Sequence, residues 1–194
     1  DALASNPYPG RGIVLGMSYG GEHAVQAYWV MGRSANSRNR ILAESDTGSV
    51  RTEAFDASQV VDPSLIIYNA LRTADMQHST HIVSNGDQTD TIFDELGRFR
   101  ARPSVTERFN DALTLRTFEP DDPNFTPRIS GLTFTGLNGY GPHPGVGFHD
   151  YSIIRRNPTT GTPEHTFGHV DFTEIPNGTG ICFHTYAGDG DPLP

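Results

Sequence analysis

Apolar residues alternate with polar ones, or gather in short runs, over residues 12–18, 24–32, 80–84, 129–134, 152–155 and 180–185. A period of two sends successive side chains to opposite faces, so each stretch predicts a β-strand. Spacings of three and four predict three helices. The first is capped by Asp62, begins at Pro63 and carries Leu65, Tyr68 and Arg72. The second is capped by Thr89 and runs through Ile92 and Leu96 to Gly97. The third starts at Ser104, which stands three residues before Glu107 as in a capping box, and continues with Phe109, Ala112 and Leu113. Segments 34–50 and 136–150, rich in Gly, Asn, Ser and Pro, read as loops, and 1–9 and 188–194 as polar tails. The expectation is one domain over 1–194, α/β or α+β, with strands in two clusters and helices in the middle and on the outside.

Composition narrows this picture. A chain of 194 residues and 21.2 kDa buries roughly 70% of its unfolded surface, enough for a real core. Its 21 glycines and 14 prolines point to many turns over a modest core. No apolar run approaches a membrane span and no charged-then-apolar leader opens the sequence, so a soluble, cytoplasmic protein is expected. The net charge is −9 and all 14 basic residues are arginine. An acidic chain is poorly suited to gripping a nucleic-acid backbone, and without lysine there is no Schiff base. The single cysteine, Cys182, can form neither an internal disulfide nor a thiolate metal site. The asparagines of Asn124-Phe-Thr126 and Asn177-Gly-Thr179 match the glycosylation pattern and are taken as chance.

Metal binding is the first chemistry to weigh, because there are eight histidines. His165 and His169 are four apart, but Glu164 precedes the pair instead of lying inside it, and His143 and His149 merely flank a Gly-rich stretch beside Asp150. No metal or other cofactor is expected. Three segments carry more. In 81–92 a strand ends in Ser84-Asn85-Gly86 and a polar turn enters a helix; its backbone N–H groups suit an anion or a base carbonyl, or the segment is a well-capped turn. In 118–128, Glu119, Asp121 and Asp122 crowd between Pro120, Pro123 and Pro127, an arrangement that tunes carboxylate acidity or, alternatively, a solvated loop neutralised by Arg128. In 33–40, Arg33, Arg38 and Arg40 form the densest positive patch, fit for bidentate contacts to phosphate or for plain solvation.

Together these segments resemble the archaeal-type IMP cyclohydrolase family. The likeness rests on Tyr68-Asn69 with Arg72, on the Ser84-Asn85-Gly86 string continuing through Thr89-Asp90-Thr91, and on Asn124 through Arg128 and Ile129. Gly10-Arg11, Arg33-Ser34, Asn39-Arg40 and Thr185-Tyr186 follow in the same order, so the similarity covers roughly residues 8–186. It implies an α+β fold, a four-layer αββα sandwich similar to the N-terminal-nucleophile hydrolases but without a processed nucleophile, and a homo-oligomer. It also implies a reaction. The carboxamide nitrogen of 5-formamidoimidazole-4-carboxamide ribonucleotide attacks its own formyl carbon, and water leaves to give IMP.

On that likeness the roles are as follows. Arg40 with Arg33 and Arg11 neutralises the phosphate; Ser84, Asn85 and Gly86 offer donors; Asn69, Arg72, Asp90 and Arg128 complete the substrate-binding set. Tyr68 is the proton donor or shuttle, with Glu119 and either Asp121 or Asp122 as acids. Neither cofactor nor metal is needed. The acidic loop is about one residue longer than the family pattern, 136–150 and 158–174 are also longer, and lysine is missing. These departures admit a member acting on a nucleotide analogue in secondary metabolism. Two rival readings stand beside it: an amidohydrolase exposing Ser18 or Ser34 by autocleavage, and a silent nucleotide binder.

Overall fold

The computed structural model describes residues 2–60, 62–63, 66–75, 79–98, 104–135 and 147–188. In chain order these are α1 (Ala2–Ser5), β1 (Gly12–Met17), β2 (Ala24–Trp29), α2 (Ala35–Arg38), β3 (Arg40–Glu44), β4 (Val50–Ala54), β5 (Asn69–Asp75), β6 (Ser79–Ser84), α3 (Gln88–Gly97), α4 (Val105–Thr114), β7 (Arg128–Phe134), β8 (Phe148–Arg156), β9 (Pro163–Asp171) and β10 (Gly180–His184). Two antiparallel sheets result: a small one ordered β10-β1-β2, and a large one running in sequence order from β3 to β9.

The large sheet is covered on both faces, and its side-chain alternation shows how. Ile82, Leu132 and Ile154 point to one face and pack with Ile92 and Leu96 of α3 and Phe109 and Leu113 of α4. Val83 and Ile129, one residue out of phase with Ile82 and Leu132, point to the other face and meet Ile13 and Leu15 of β1. Gly131 makes the sheet–sheet approach possible, since a Cβ there would lie 2.7 Å from a Leu15 methyl. The described residues thus build three layers: two helices, the large sheet, the small sheet.

The helix starting at Ser104 forms as its sequence dictates, with Ser104 Oγ accepting from Glu107 N–H and the Glu107 carboxylate accepting from Ser104 N–H. The second helix begins at Gln88 with Asp87 in the cap position; Thr89 lies inside the first turn and donates to Gly86 O. The helix expected from Asp62 is not there. Asp62 and Pro63 are non-helical, Leu65 lies outside the described residues, and 69–75 is strand β5. Pairing of Leu71 with Val83 and burial of Ala70 and Ala74 outweigh a spacing that served either period.

Segment 34–50 holds α2 and β3, and 158–174 holds β9. Within 136–150 only 147–150 is described, and it enters β8. Of the two tails, the first is tied down: Tyr8 is buried and Asn6 Nδ2 donates to Tyr186 O. In the second only Gly188 is described.

Candidate functional site

A cluster of paired charges gathers where the two sheets meet, built from β1, the β6–α3 turn, the loop before β7 and the segment after β10. Arg11, buried at the start of β1, grips Glu119 with both Nη atoms, 2.7 Å and 2.5 Å, and also donates to Asn85 O at 2.8 Å. Burial opposes the Arg11 charge, but Glu119 more than offsets it and the guanidinium is held well above its ordinary pKa. Such a bidentate, desolvated pair is a strong and directional contact.

Arg128 Nη1 lies 2.6 Å from Gln88 Oε1, 2.7 Å from Asp87 Oδ1 and 4.0 Å from Glu119 Oε1. Burial pulls Arg128 below the usual arginine value despite Glu119 and Asp87. Burial also works against the Asp87 carboxylate, yet Arg116 and Arg128 prevail and lower its pKa. Gly86 is required here: a Cβ would lie 2.4 Å from Arg128 Nη1 and 3.3 Å from Glu119 Oε1.

The acidic loop resolves into one inward and one outward acid. Asp121 accepts from Thr126 N–H at 2.7 Å and from Thr126 Oγ1 at 2.5 Å, whereas Asp122 is exposed. With the Thr126 proton given to Asp121, the 2.5 Å contact between Thr126 Oγ1 and Tyr186 Oη has Tyr186 as its donor. Burial first, and Asp121 behind it, push the Tyr186 phenol pKa up. Over the Tyr186 and Tyr8 rings lies the Arg33 guanidinium, 4.9 Å and 4.4 Å from their centroids. Arg33, Arg38 and Arg40 line a cavity of about 450 Å³ with Tyr8, Val30 and Met31. From this cavity the charge of Arg40 reaches Tyr28, whose hydroxyl lies 2.6 Å from that of Tyr68.

Of the residues singled out in the sequence, Arg11, Arg33, Arg40, Tyr68, Gly86, Glu119, Asp121 and Arg128 fall in this connected region. Asn85 serves it from behind. Its Oδ1 accepts from Ile129 N–H and Gln88 Nε2, and its Nδ2 donates to Pro127 O, so the side chain fixes the turn. Ser84 is fully buried and its Oγ has no partner among the described residues. Asn69, Arg72 and Asp90 form a separate knot in which both donors reach Asp90 Oδ1, at 2.9 Å and 2.7 Å, and Arg72 covers Phe93, tying β5 to α3.

Sequence reasoning missed Tyr28, Gln88, Asp87 and Thr126. The alternation of β2 could have marked Tyr28 as inward-facing, but nothing in the chain signals its partner. Among the histidines, His149 Nε2 donates to Gly16 O and its Nδ1 accepts from Thr133. Burial holds its pKa down at about 4. His165 donates to Arg116 O and His169 pairs with Asp150, while His143 lies outside the described residues. No group of three or more His, Cys, Asp or Glu among the described residues could hold a metal ion. None of the described helices is long and apolar enough to cross a membrane.

Comparison with known proteins agrees with this reading of the motifs. The model of the family described as IMP cyclohydrolase-like protein matches residues 8–192. The IMP cyclohydrolase of Methanothrix thermoacetophila is 30% identical over 149 residues, covering 77% of this chain and 67% of that protein. No solved structure matches. With Arg11, Tyr68, the Ser84-Asn85-Gly86 turn, Glu119 and Tyr186 all inside the matched span, the chain belongs to the IMP cyclohydrolase-like protein family.

Proposed function

We propose that this chain is an IMP cyclohydrolase, closing the ring of 5-formamidoimidazole-4-carboxamide ribonucleotide with loss of water. The observation that carries the reading is the arginine-lined cavity whose Tyr8 and Arg33 pack against Tyr186, the phenol that leads through Thr126 to Asp121. The substrate is a dianion on a flat heterocycle. The cavity offers Arg33, Arg38 and Arg40 to its phosphate, and three guanidiniums suit that group's oxygens.

Ring closure turns an amide nitrogen into a nucleophile while the formyl oxygen gains charge and leaves as water. It therefore needs a proton donor at that oxygen, an acceptor at the nitrogen, and a cation nearby. Tyr68 is the donor, Arg11 the fixed cation, and Asp121 reaches the site as acceptor through Thr126 and Tyr186. Because both reacting groups belong to one molecule, holding them coplanar supplies much of the rate. The fold that supports this is proposed to be the four-layer sandwich, with the three described layers as one helical layer and both sheets of it, and the working form a homo-oligomer.

A second reading, binding without turnover, is favoured by one observation: both Glu119 oxygens are taken by Arg11. Autocleavage finds less support, since Ser34 caps α2 and Ser18 accepts from His23 N–H. The test is to mix the chelator-treated protein with the formamido ribonucleotide and follow IMP by ultraviolet absorbance and mass. Turnover that collapses in Tyr68→Phe supports the reading. IMP binding with no turnover selects the silent form, and turnover only with an analogue selects a specialised substrate.

A further inference from the structure

Tyr28 belongs to none of the motifs that carry the family likeness, and the scheme above gives it no role. It pairs with Ile13 across the small sheet, and its ring faces the large sheet, packed against the cluster of Ile13, Leu15, Val83 and Ile129. Phenylalanine would fill that space equally well. A hydroxyl in such a place persists only with a partner, and the partner is Tyr68 Oη at 2.6 Å. No other hydrogen bond to either hydroxyl is present among the described residues. The bond joins β2 of one sheet to the residue just before β5 of the other, so it fixes one oxygen against both.

Tyr68 itself is anchored at its backbone. Its N–H donates to Thr52 Oγ1 and its carbonyl accepts from Thr52 N–H. The phenol end would still pivot about the side-chain torsions without Tyr28.

Two facing phenols share one proton between them. The donor's hydrogen occupies an acceptor lone pair, which turns the acceptor's own hydrogen elsewhere. The charged and titratable groups around Tyr28 are Tyr68, Arg11 just before β1 and Arg40 of β3, with Glu119 beyond Arg11. Burial and then Tyr68 raise the Tyr28 pKa well above the ordinary phenol value, against the pull of the two arginines. In the 2.6 Å bond either hydroxyl can be the donor. We propose that Tyr28 is the positioning residue of Tyr68: its hydroxyl donates to Tyr68 Oη, holds that oxygen in place, and leaves the Tyr68 proton directed at the bound nucleotide. The destination of that proton rests on the cyclohydrolase reading; the pairing does not.

The experiment is a double-mutant cycle on steady-state rates with the formamido ribonucleotide, plus a titration of phenolate absorbance. Tyr28→Phe is expected to lower kcat about tenfold, the size of one well-placed hydrogen bond, with KM within about twofold. Tyr68→Phe loses roughly a hundredfold or more, and adding Tyr28→Phe to it costs no further activity. Losses that multiply, a raised KM at unchanged kcat, or full activity in Tyr28→Phe each overturn the proposal.

In the titration, Tyr68→Phe removes one of the causes that raise Tyr28, so that phenol ionises at lower pH than in the wild type. An unchanged titration overturns the pairing. A wild type that binds IMP but never turns over the ribonucleotide overturns the reading and the proton's destination, and the titration then judges the pair alone.

Discussion

Replacing Glu119 by Gln tests whether Arg11 is held by a desolvated pair. Glu119 is 3% exposed and Arg11 8%, and the two meet through both guanidinium nitrogens. Gln keeps the volume and one acceptor oxygen but sets an amide NH2 against Arg11, and it removes the anion 4.0 Å from Arg128. At an effective dielectric of about 20, unit charges about 4 Å apart interact by about 4 kcal/mol. Breaking a buried pair from one side costs about 3–5 kcal/mol. The two figures agree on a loss of about 3–4 kcal/mol, which for a domain of roughly this size lowers Tm by roughly 10 °C.

Thermal melts followed by circular dichroism, with urea titrations at neutral pH, read this directly. The raised Arg11 pKa means its share of the stabilisation is complete below the ordinary, unfolded arginine value and lost only above the still higher folded one. The deficit on that side is therefore flat across neutral pH. Arg11→Met combined with Glu119→Leu is expected to be more stable than Glu119→Gln, because no unpaired charge is left inside. A Glu119→Gln loss below about 1 kcal/mol would refute the reasoning, since that is the worth of a solvated surface pair.

Three further expectations concern the frame. The His149 pKa of about 4 lies below the ordinary 6.5, so the unfolded chain takes up this proton first as pH falls; about 3 kcal/mol is present above pH 6.5 and lost on descending to about 4. Urea unfolding of His149→Gln should be flatter with pH than wild type over that window, and parallel curves would contradict it. Ser104→Ala removes the cap acceptor of α4 and should cost about 1 kcal/mol, read as a fall of a few degrees in Tm; no change would mean the capping box contributes nothing. Gly131→Ala drives a methyl against Leu15 and should destabilise by about 1–3 kcal/mol, which denaturant midpoints would report; a neutral outcome would show that the sheets can part there without penalty.

Much of the fold was legible where one face of an element is buried. β1, β6 and β7 carry apolar residues because β1 packs on one face of the large sheet and the helices cover the other face of β6 and β7, and α4 announces itself through Ser104 and Glu107. β3 was read as part of a loop, and β9 was not predicted as a strand, for the complementary reason. They are the two edges of the large sheet, with Ile41, Leu42 and Phe167 exposed, so burial imposes no clear pattern on them. β5 was misread because Tyr68 and Arg72 stand at helical spacing while the pairing that decides the matter comes from β6.

At the site, motifs marked Arg11, Tyr68, Glu119 and Asp121 but could not show how they pair. The bond from Arg11 to Glu119 joins positions 108 apart, and the Tyr28–Tyr68 contact links β2 of one sheet to the residue just before β5 of the other. Asn69, Arg72 and Asp90 were grouped with the ligand set, and the structure turns them on one another.

The small sheet has β1 at its centre, with β2 on one side and β10, the last of the described strands, on the other. During synthesis β1 emerges well before β10 and waits with one edge unpaired until the residues between them have been made. Arg11 waits with it, because its N–H is received by Thr185 Oγ1 and its carbonyl receives Thr185 N–H. Contacts so distant in sequence form late and slowly. Ribosome-stalled chains ending before residue 180 should therefore carry a collapsed large sheet with its helices and no organised site. The competence to bind would then appear in one step, with β10.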